Sequence, residues 1–359
     1  MRVLSLLAVS SLLFLTSCFV QEEIVDDIAM VTVMGFDKGE GDQVLASINV
    51  PFYQSNTEVI NKYYQTEAVF TKDATDFGTG ESDIPMVIAQ NKVLIFSKEL
   101  AKDNLMKYLD SYQRDPSIST GLFVTIAKDR SAPLLENSAS TNQDVGVLLS
   151  KLLKNNTERN FLPQTNLHTF LFDYYQPGKD PFLPIISIEK EKYRIDGISF
   201  LKDAVYKGEI KYDYDTMVFR QMKESFSHGS YTFHVKDDVY ASIQNLSSKK
   251  HVEVLNASSK KPTIKIKLKM DGFLREYTGS KINKSTINEI SKRMEESFEG
   301  KSKELLEKFE QWDVDPLGLG NEIRKNKRGW KQDEWEPIYD KINVEVDIQV
   351  TIKETGVVS

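Results

Sequence analysis

The clearest periodicity in the chain lies near its C-terminal end. Ile342, Val344, Val346, Ile348, Val350 and Ile352 alternate with Asn343, Glu345, Asp347, Gln349 and Thr351. That spacing predicts a long strand with one wet face. Ile264, Ile266, Leu268 and Met270 alternate in the same way with Thr263, Lys265, Lys267 and Lys269, a half-exposed strand. Between the two, Ile287, Ile290, Met294, Phe298, Leu305 and Phe309 recur at helical spacing and end near Trp312, the stripe of a long amphipathic helix. Strand, long helix, strand predicts an antiparallel or mixed sheet with the helix on its apolar side.

The first half of the chain carries shorter signals. Ile28–Phe36 and Val44–Val50 flank the run Gly39-Glu40-Gly41-Asp42 and predict a hairpin; Lys62–Phe70 suggests a further strand. Val93–Phe96 and Leu122–Ala127 are continuous apolar runs, as expected of strands buried on both faces. A helix is predicted between them, from Ser97 or Lys98 to Arg114, where Asp115-Pro116 stops it. Strand, helix, strand predicts a βαβ-like unit. Further helices are predicted near Asp144–Lys154 and Leu167–Tyr174. Pro177, Gly178, Pro181 and Pro184 form the densest proline cluster, read as a boundary or a structured crossover. Ile185–Ile188 and Tyr193–Tyr206 follow as strands, with a turn at Tyr206–Glu209. The fold class predicted is α+β, a mixed α/β chain. Its expected division is a signal peptide at 1–17, a mixed-sheet domain with helices at 18–190, a smaller middle domain at 191–256, and at 257–359 a sheet packed by the long helix.

The N-terminus changes the picture most. Arg2, an apolar stretch from Val3 to Leu15, and Leu15-Thr16-Ser17-Cys18 have the order of a bacterial lipoprotein signal. Cleavage after Ser17 would leave Cys18 as the lipidated first residue. An ordinary leader with an incidental cysteine is the competing reading. The spacing favours the lipobox, as does the fact that Cys18 is the one cysteine in the chain. No later segment offers the ~18–20 apolar residues that cross a bilayer. With no second cysteine, stability must rest on apolar burial. The net charge is −7, with acids and bases interspersed, and no dominant basic stripe argues for nucleic acid. Lys249-Lys250-His251 with Lys260-Lys261, and Arg324–Arg328, are local basic clusters. Each is read first as a solvated loop and second as a contact for anionic lipid or a partner.

Candidate chemistry is sparse. The four histidines, His168, His228, His234 and His251, form no HExxH, and no nucleophile elbow, Walker loop or dinucleotide fingerprint is present. Leu317-Gly318-Leu319-Gly320 is read as a tight turn rather than a phosphate loop. Asp313 with Asp315, and Asp37 with Asp42, are read as loop carboxylates in preference to calcium ligands. Trp312, Trp330, Trp335 and Tyr339 are read as packing aromatics in preference to a sugar or amino-acid platform. Arg114 is read as a helix-end ion-pair partner. No catalytic residue, metal site or cofactor is expected, and the chain is expected not to be an enzyme.

Several segments resemble the Ger(x)C family, the lipoprotein C subunits of spore nutrient-germinant receptors. Met34-Gly35-Phe36-Asp37-Lys38 resembles the family's GIGIDK segment. Asn91–Ala101 resembles its H-x-K-VLVI-x-E-x-LA segment, with Asn91 in place of the histidine. Arg114-Asp115-Pro116 is similar to RDPEIR. Phe182-Leu183-Pro184 with Asp196–Asp203 resembles the LP…G-x-AVFK-x-DK segment. Asp315–Gly320, then Trp330, Trp335 and Thr355-Gly356, resembles the D-x-FGFG…W…W ending, with Leu317 and Leu319 in place of phenylalanines. Phe19 stands where tryptophan often follows the lipidated cysteine.

The resemblance implies a three-domain mixed α/β fold without enzymatic activity, lipid-anchored through Cys18 at the outer face of the spore inner membrane. It implies A-type and B-type membrane subunits as partners and a requirement for nutrient-triggered germination. Ile342–Ile352 and Arg324–Trp335 are the contact surfaces expected. The alternative is a solute-binding lipoprotein that captures a small nutrient in a deep interdomain pocket; an envelope hydrolase is a weaker one.

Overall fold

A computed structural model describes residues 28–54, 58–80, 82–159, 161–259, 261–329, 331 and 342–354. Cys18, the leader, Trp330, Trp335, Tyr339 and Thr355-Gly356 lie outside the described residues.

The strands are β1 (Ala29–Met30), β2 (Val33–Lys38), β3 (Val44–Tyr53), β4 (Val59–Ala68), β5 (Met86–Val87), β6 (Val93–Ser97), β7 (Phe123–Ala127), β8 (Phe182–Glu189), β9 (Lys192–Lys202), β10 (Val205–Lys211), β11 (Ser230–Lys236), β12 (Val239–Leu255), β13 (Thr263–Tyr277) and β14 (Asn343–Glu354). The helices are α1 (Asp73–Thr79), α2 (Met106–Arg114), α3 (Ala132–Glu136), α4 (Val145–Arg159), α5 (Leu167–Tyr175), α6 (Tyr214–Lys223), α7 (Lys284–Gln311) and α8 (Leu319–Asn326).

Eight strands form one sheet in the order β10-β9-β8-β7-β6-β2-β3-β4. Its centre, β8-β7-β6-β2, is parallel, and antiparallel strands extend it on both sides. The continuous apolar runs sit in this centre, because helices cover both faces. Alternate residues serve opposite cores. Leu94, Phe96, Val124 and Ile126 pack with α2 and α5, whereas Val33, Val93 and Ile95 pack with α4. Pro184 is accommodated because β8 pairs with β7 only from Ile185 onward, so its missing N–H is not called on there.

The second sheet runs β11-β12-β13-β14, with β13 and β14 parallel and the other pairs antiparallel. The crossover from β13 to β14 is α7, whose buried residues Ile290, Met294, Phe298 and Phe309 cover the apolar side of the sheet. The mixed sheet and long helix expected from periodicity are both present. An aromatic cluster joins the two sheets. Phe182 and Phe200 of the first sheet pack edge-on against Phe219 of α6, at 5.2 and 5.0 Å between centroids. Phe309 of α7 meets Phe200 at 4.9 Å, and Trp312 stacks on Phe200 at 5.9 Å.

Two local expectations shift. The helix after β6 is a 3₁₀ turn at Leu100–Lys102 followed by α2 from Met106, because the Asn104 side chain accepts the Met106 N–H at 2.8 Å and starts a new helix. The turn expected at Tyr206–Glu209 lies inside β10, where the register shifts by a bulge. The reversal falls at Asp203-Ala204, both at positive φ. Sheet pairing also runs through both proposed divisions: residue 190 sits in the β8–β9 hairpin and 256 just after β12, before the reversal into β13. Of residues 191–256, β9 and β10 therefore belong to the first sheet and β11 and β12 to the second.

Candidate functional site

Two polar constructions stand out, one open and one closed. The open one is a cleft of about 770 Å³ beyond the carboxyl ends of β7 and β8, bordered by α3 and the ends of β9 and β10. In open α/β sheets this edge is where ligands bind. Pro133, Leu134, Ile186 and Ile188 supply apolar lining. The rim is a chain of alternating charges. Lys128 Nζ lies 3.0 Å from Asp196, Arg194 Nε lies 3.8 Å from the other oxygen of Asp196, and Arg194 also pairs with Glu189. Lys128, Arg194 and Glu189 are all more than half exposed, so these pairs add little to stability.

The wall of the cleft rests on Asp37. This side chain lies in the Met34–Lys38 segment and is 1% exposed. Its two oxygens accept the Ser131 and Ala132 N–H groups at 2.7 and 2.9 Å. They thereby satisfy donors that the first turn of α3 leaves free.

The closed construction is a buried carboxylate junction between the sheets. Asp180, in the crossover before β8, donates its N–H to the Asp315 carbonyl at 2.9 Å, and its carboxylate accepts the Asp315 N–H at 2.7 Å. The Asp315 carboxylate accepts the Leu319 and Gly320 N–H groups, each at 2.8 Å, at the start of α8. Lys202 of β9 lies 3.5 Å from Asp180. Asp173 of α5 holds Lys179 at 2.5 Å and Lys223 at 2.9 Å, and Lys223 also donates to the Pro316 carbonyl at 2.6 Å. Burial pushes Asp180 up to about 7, against the pull of Lys202. Burial likewise raises Asp315 to about 6, opposed by the N–H groups of Gly320, Leu319 and Gly318. Lys250, whose Nζ donates to the Lys223 carbonyl, is lowered to about 8 by burial and then by the nearby Lys223 charge.

Two glycines let the segments of this joint approach. Gly318 has φ +74° and opens α8 in the left-handed region, as expected of a glycine turn. Gly178 has φ +72°, and a Cβ there would lie 2.6 Å from the Gly320 carbonyl carbon.

The other singled-out residues are dispersed. Asp42 is exposed in the β2–β3 turn and does not meet Asp37. Among the described residues no group of three or more His, Asp or Glu could hold a metal ion. His228 bonds only its neighbour Ser227 in an exposed bend, and His234 lies on β11 against the Asp237 carbonyl. Arg114 makes the helix-end ion pair with Asp110 at 3.0 Å. Asp115 beside it pairs with Lys72 and is lowered to about 2 by hydrogen bonds from Lys72 and Ser117. Asn91 is buried, and its Oδ1 accepts the Val93 N–H at 3.3 Å. Arg324 binds Asn321, and β14 is the edge strand of its sheet. Asp173, Lys179, Asp180 and Lys223 were not singled out by sequence. The available signal is acid and base next to prolines in Pro177–Pro181, within the segment read as a boundary or a structured crossover.

The architecture is that of an α+β protein with two large sheets and a two-stranded β1–β5 pair, whose raised carboxylates serve its own backbone. The model of the spore germination protein N-terminal domain matches residues 21–188, and that of the spore germination B3/GerAC-like C-terminal domain matches residues 196–356. The chain belongs to the Ger(x)C family of spore germination proteins. It is 25% identical over 348 residues to the spore germination protein GerQC of Bacillus cereus, covering 96% of each. It is 20% identical to the putative spore germination protein YfkR of Bacillus subtilis (strain 168), covering 96% of this chain and 94% of that one. The crystal structure of the GerBC protein shares its fold, with TM-score 0.57 and 17% identity over 89% of this chain and 96% of that one.

Proposed function

We propose that this chain is the lipid-anchored, non-catalytic C subunit of a spore germinant receptor, held at the outer face of the spore inner membrane beside A-type and B-type membrane subunits and needed for nutrient-triggered germination. The observation that carries the reading is the pair of family matches, which together run from residue 21 to 356 directly behind the lipobox cysteine. The use of the perturbed groups supports the non-catalytic part. Asp180 and Asp315 are turned inward onto backbone amides, not toward the open cleft.

The anchor supplies the mechanism. Each buried CH₂ of a diacyl group adds about 0.8 kcal/mol to membrane attachment. The ten residues from Cys18 to Asp27 can extend at most about 35 Å. The body is thereby confined to a thin layer at the bilayer, where weak contacts with membrane subunits become effective through high local concentration.

Cys18→Ala tests this in spores. The expected result is release of the protein from the membrane fraction and loss of the nutrient response, with mass spectrometry of the native protein finding the acyl group on Cys18. A fully released variant in spores that germinate normally overturns the reading.

A further inference from the structure

We propose that the cleft beyond β7 and β8 binds a small zwitterion, a molecule carrying a carboxylate and an ammonium on an apolar body. The cleft lies at the carboxyl edge of parallel strands and is about 770 Å³, within the range of small-molecule sites. The chain enters at the other edge: Thr32 accepts the Lys92 N–H where β6 begins, and Lys92 in turn accepts the Phe123 N–H where β7 begins.

The rim chemistry selects the class. Lys128, Asp196, Arg194 and Glu189 alternate in sign along one connected chain of ion pairs. A simple anion drawn to Arg194 would face Asp196 and Glu189, and a simple cation drawn to Asp196 would face Lys128 and Arg194. A zwitterion escapes both penalties. Its carboxylate takes the Arg194 guanidinium and its ammonium takes the Asp196 carboxylate, so the 3.8 Å pair between them is exchanged for two contacts while Lys128–Asp196 and Arg194–Glu189 stay paired and no charge is left alone. Asp196 is fit to receive the ammonium, being only 21% exposed and steadied by the Ser187 hydroxyl at 3.3 Å. Leu134 and Ile186 give an apolar body a surface to cover.

The test is calorimetric titration of the full-length protein in detergent with L-leucine, L-leucine methyl ester and 4-methylpentanoate. These share a carbon skeleton and differ in which charges they carry. We expect saturable binding of L-leucine, at least tenfold tighter than either analogue. Arg194→Ala should abolish the preference over the methyl ester, and Asp196→Ala the preference over 4-methylpentanoate. Absence of saturable L-leucine binding, equal binding of all three by the unsubstituted protein, or preferences that survive both substitutions overturns the proposal. If a variant fails to fold, the comparison of the three compounds on the unsubstituted protein decides alone. Failure here leaves the receptor-subunit reading intact, since that is judged by Cys18→Ala in spores.

Discussion

Asp180 and Asp315 grip one another through one backbone bond and one side-chain bond: the Asp180 N–H donates to the Asp315 carbonyl at 2.9 Å, and the Asp315 N–H returns a bond to the Asp180 carboxylate at 2.7 Å. The two residues are 135 positions apart in sequence. One leads into the first sheet and the other follows the helix that packs the second. With the Phe182–Phe200–Phe219–Phe309 cluster beside it, this contact makes the two sheets one mechanical body. Each segment at the joint brings its own donors and acceptors.

Asp315→Ala should therefore destabilise the whole chain. The substitution leaves the buried Leu319 and Gly320 N–H groups without an acceptor, and unsatisfied donors cost about 1–3 kcal/mol each. The loss expected is about 3 kcal/mol, read as a lower urea midpoint with an unchanged slope. Asp315→Asn keeps one acceptor oxygen and should lose less. An unchanged midpoint for the alanine variant would show that the junction adds nothing.

The same junction gives stability a pH dependence of unusual sign. Asp180 and Asp315 titrate near 7 and 6 in the folded chain, against 3.8 unfolded. Between those values the folded state holds protons that the unfolded state has released, so stability falls as pH rises. The contribution is full below pH 3.8 and is lost by the time the pH passes 7. Lys250 works in the opposite sense at the alkaline end. Its folded value near 8 lies below the unfolded 10.5, so its contribution is recovered as pH climbs from 8 toward 10.5. Urea midpoints for the unsubstituted protein and Asp180→Asn, compared from pH 4 to 8, check this. The difference between the two should narrow toward pH 4, where Asp180 is already neutral, and widen toward pH 8. A difference that stays constant across the range removes Asp180 as its source.

Gly178→Ala should act at the same joint by steric means alone. Its φ of +72° disfavours a side chain, and the new Cβ would lie 2.6 to 2.8 Å from three backbone atoms of Gly320 and Asn321. Backbone cannot move aside as a side-chain end can. The bond from the Asn321 N–H to the Gly178 carbonyl, now 2.9 Å, should break with it. A loss of about 2 kcal/mol or more is expected, with faster amide exchange at Asn321 than at Leu149 in α4. Protection at Asn321 matching that of the unsubstituted protein would sink the prediction.

What sequence revealed and what it hid follow from the range of the forces involved. The β13–α7–β14 unit was legible because its periodicity is local: alternate residues on β13 and β14, and every third or fourth on α7, touch the same core. The parallel centre was legible for the same reason, since β6 and β7 are buried on both faces. The joint was not. Asp180 and Asp315 are ordinary loop carboxylates until a partner 135 residues away arrives, and no window of sequence contains both. Of the two readings the Pro177–Pro184 run allows, a boundary or a structured crossover, the structure shows the crossover, and it buries Asp180. Sheet hydrogen bonds run across the expected divisions at 190 and 256, a pairing that no local window of sequence displays. The charged cleft has no linear signature, as its rim comes from the segments after β7, at the end of β8 and within β9.

Asp37 shows how one motif residue can be structural and still bear on a binding surface. Its carboxylate is the acceptor for Ser131 and Ala132, and Arg130 approaches it at 3.8 Å. Asp37→Ala would leave two buried N–H groups unmet and a guanidinium without its counter-charge, at a cost of about 2–4 kcal/mol. The effect should be local first, because α3 is a short helix held at its start by this side chain alone among the described side-chain contacts. Asp37→Asn retains an acceptor for one N–H and should fold better than the alanine variant. Since Pro133 and Leu134 of α3 line the cleft, hydrogen exchange of residues 131–136 should accelerate in Asp37→Ala well before the global midpoint shifts for β6 and β7. Exchange that rises equally in α3 and in those strands would mean that Asp37 supports the fold as a whole, with no special part in shaping the cleft wall.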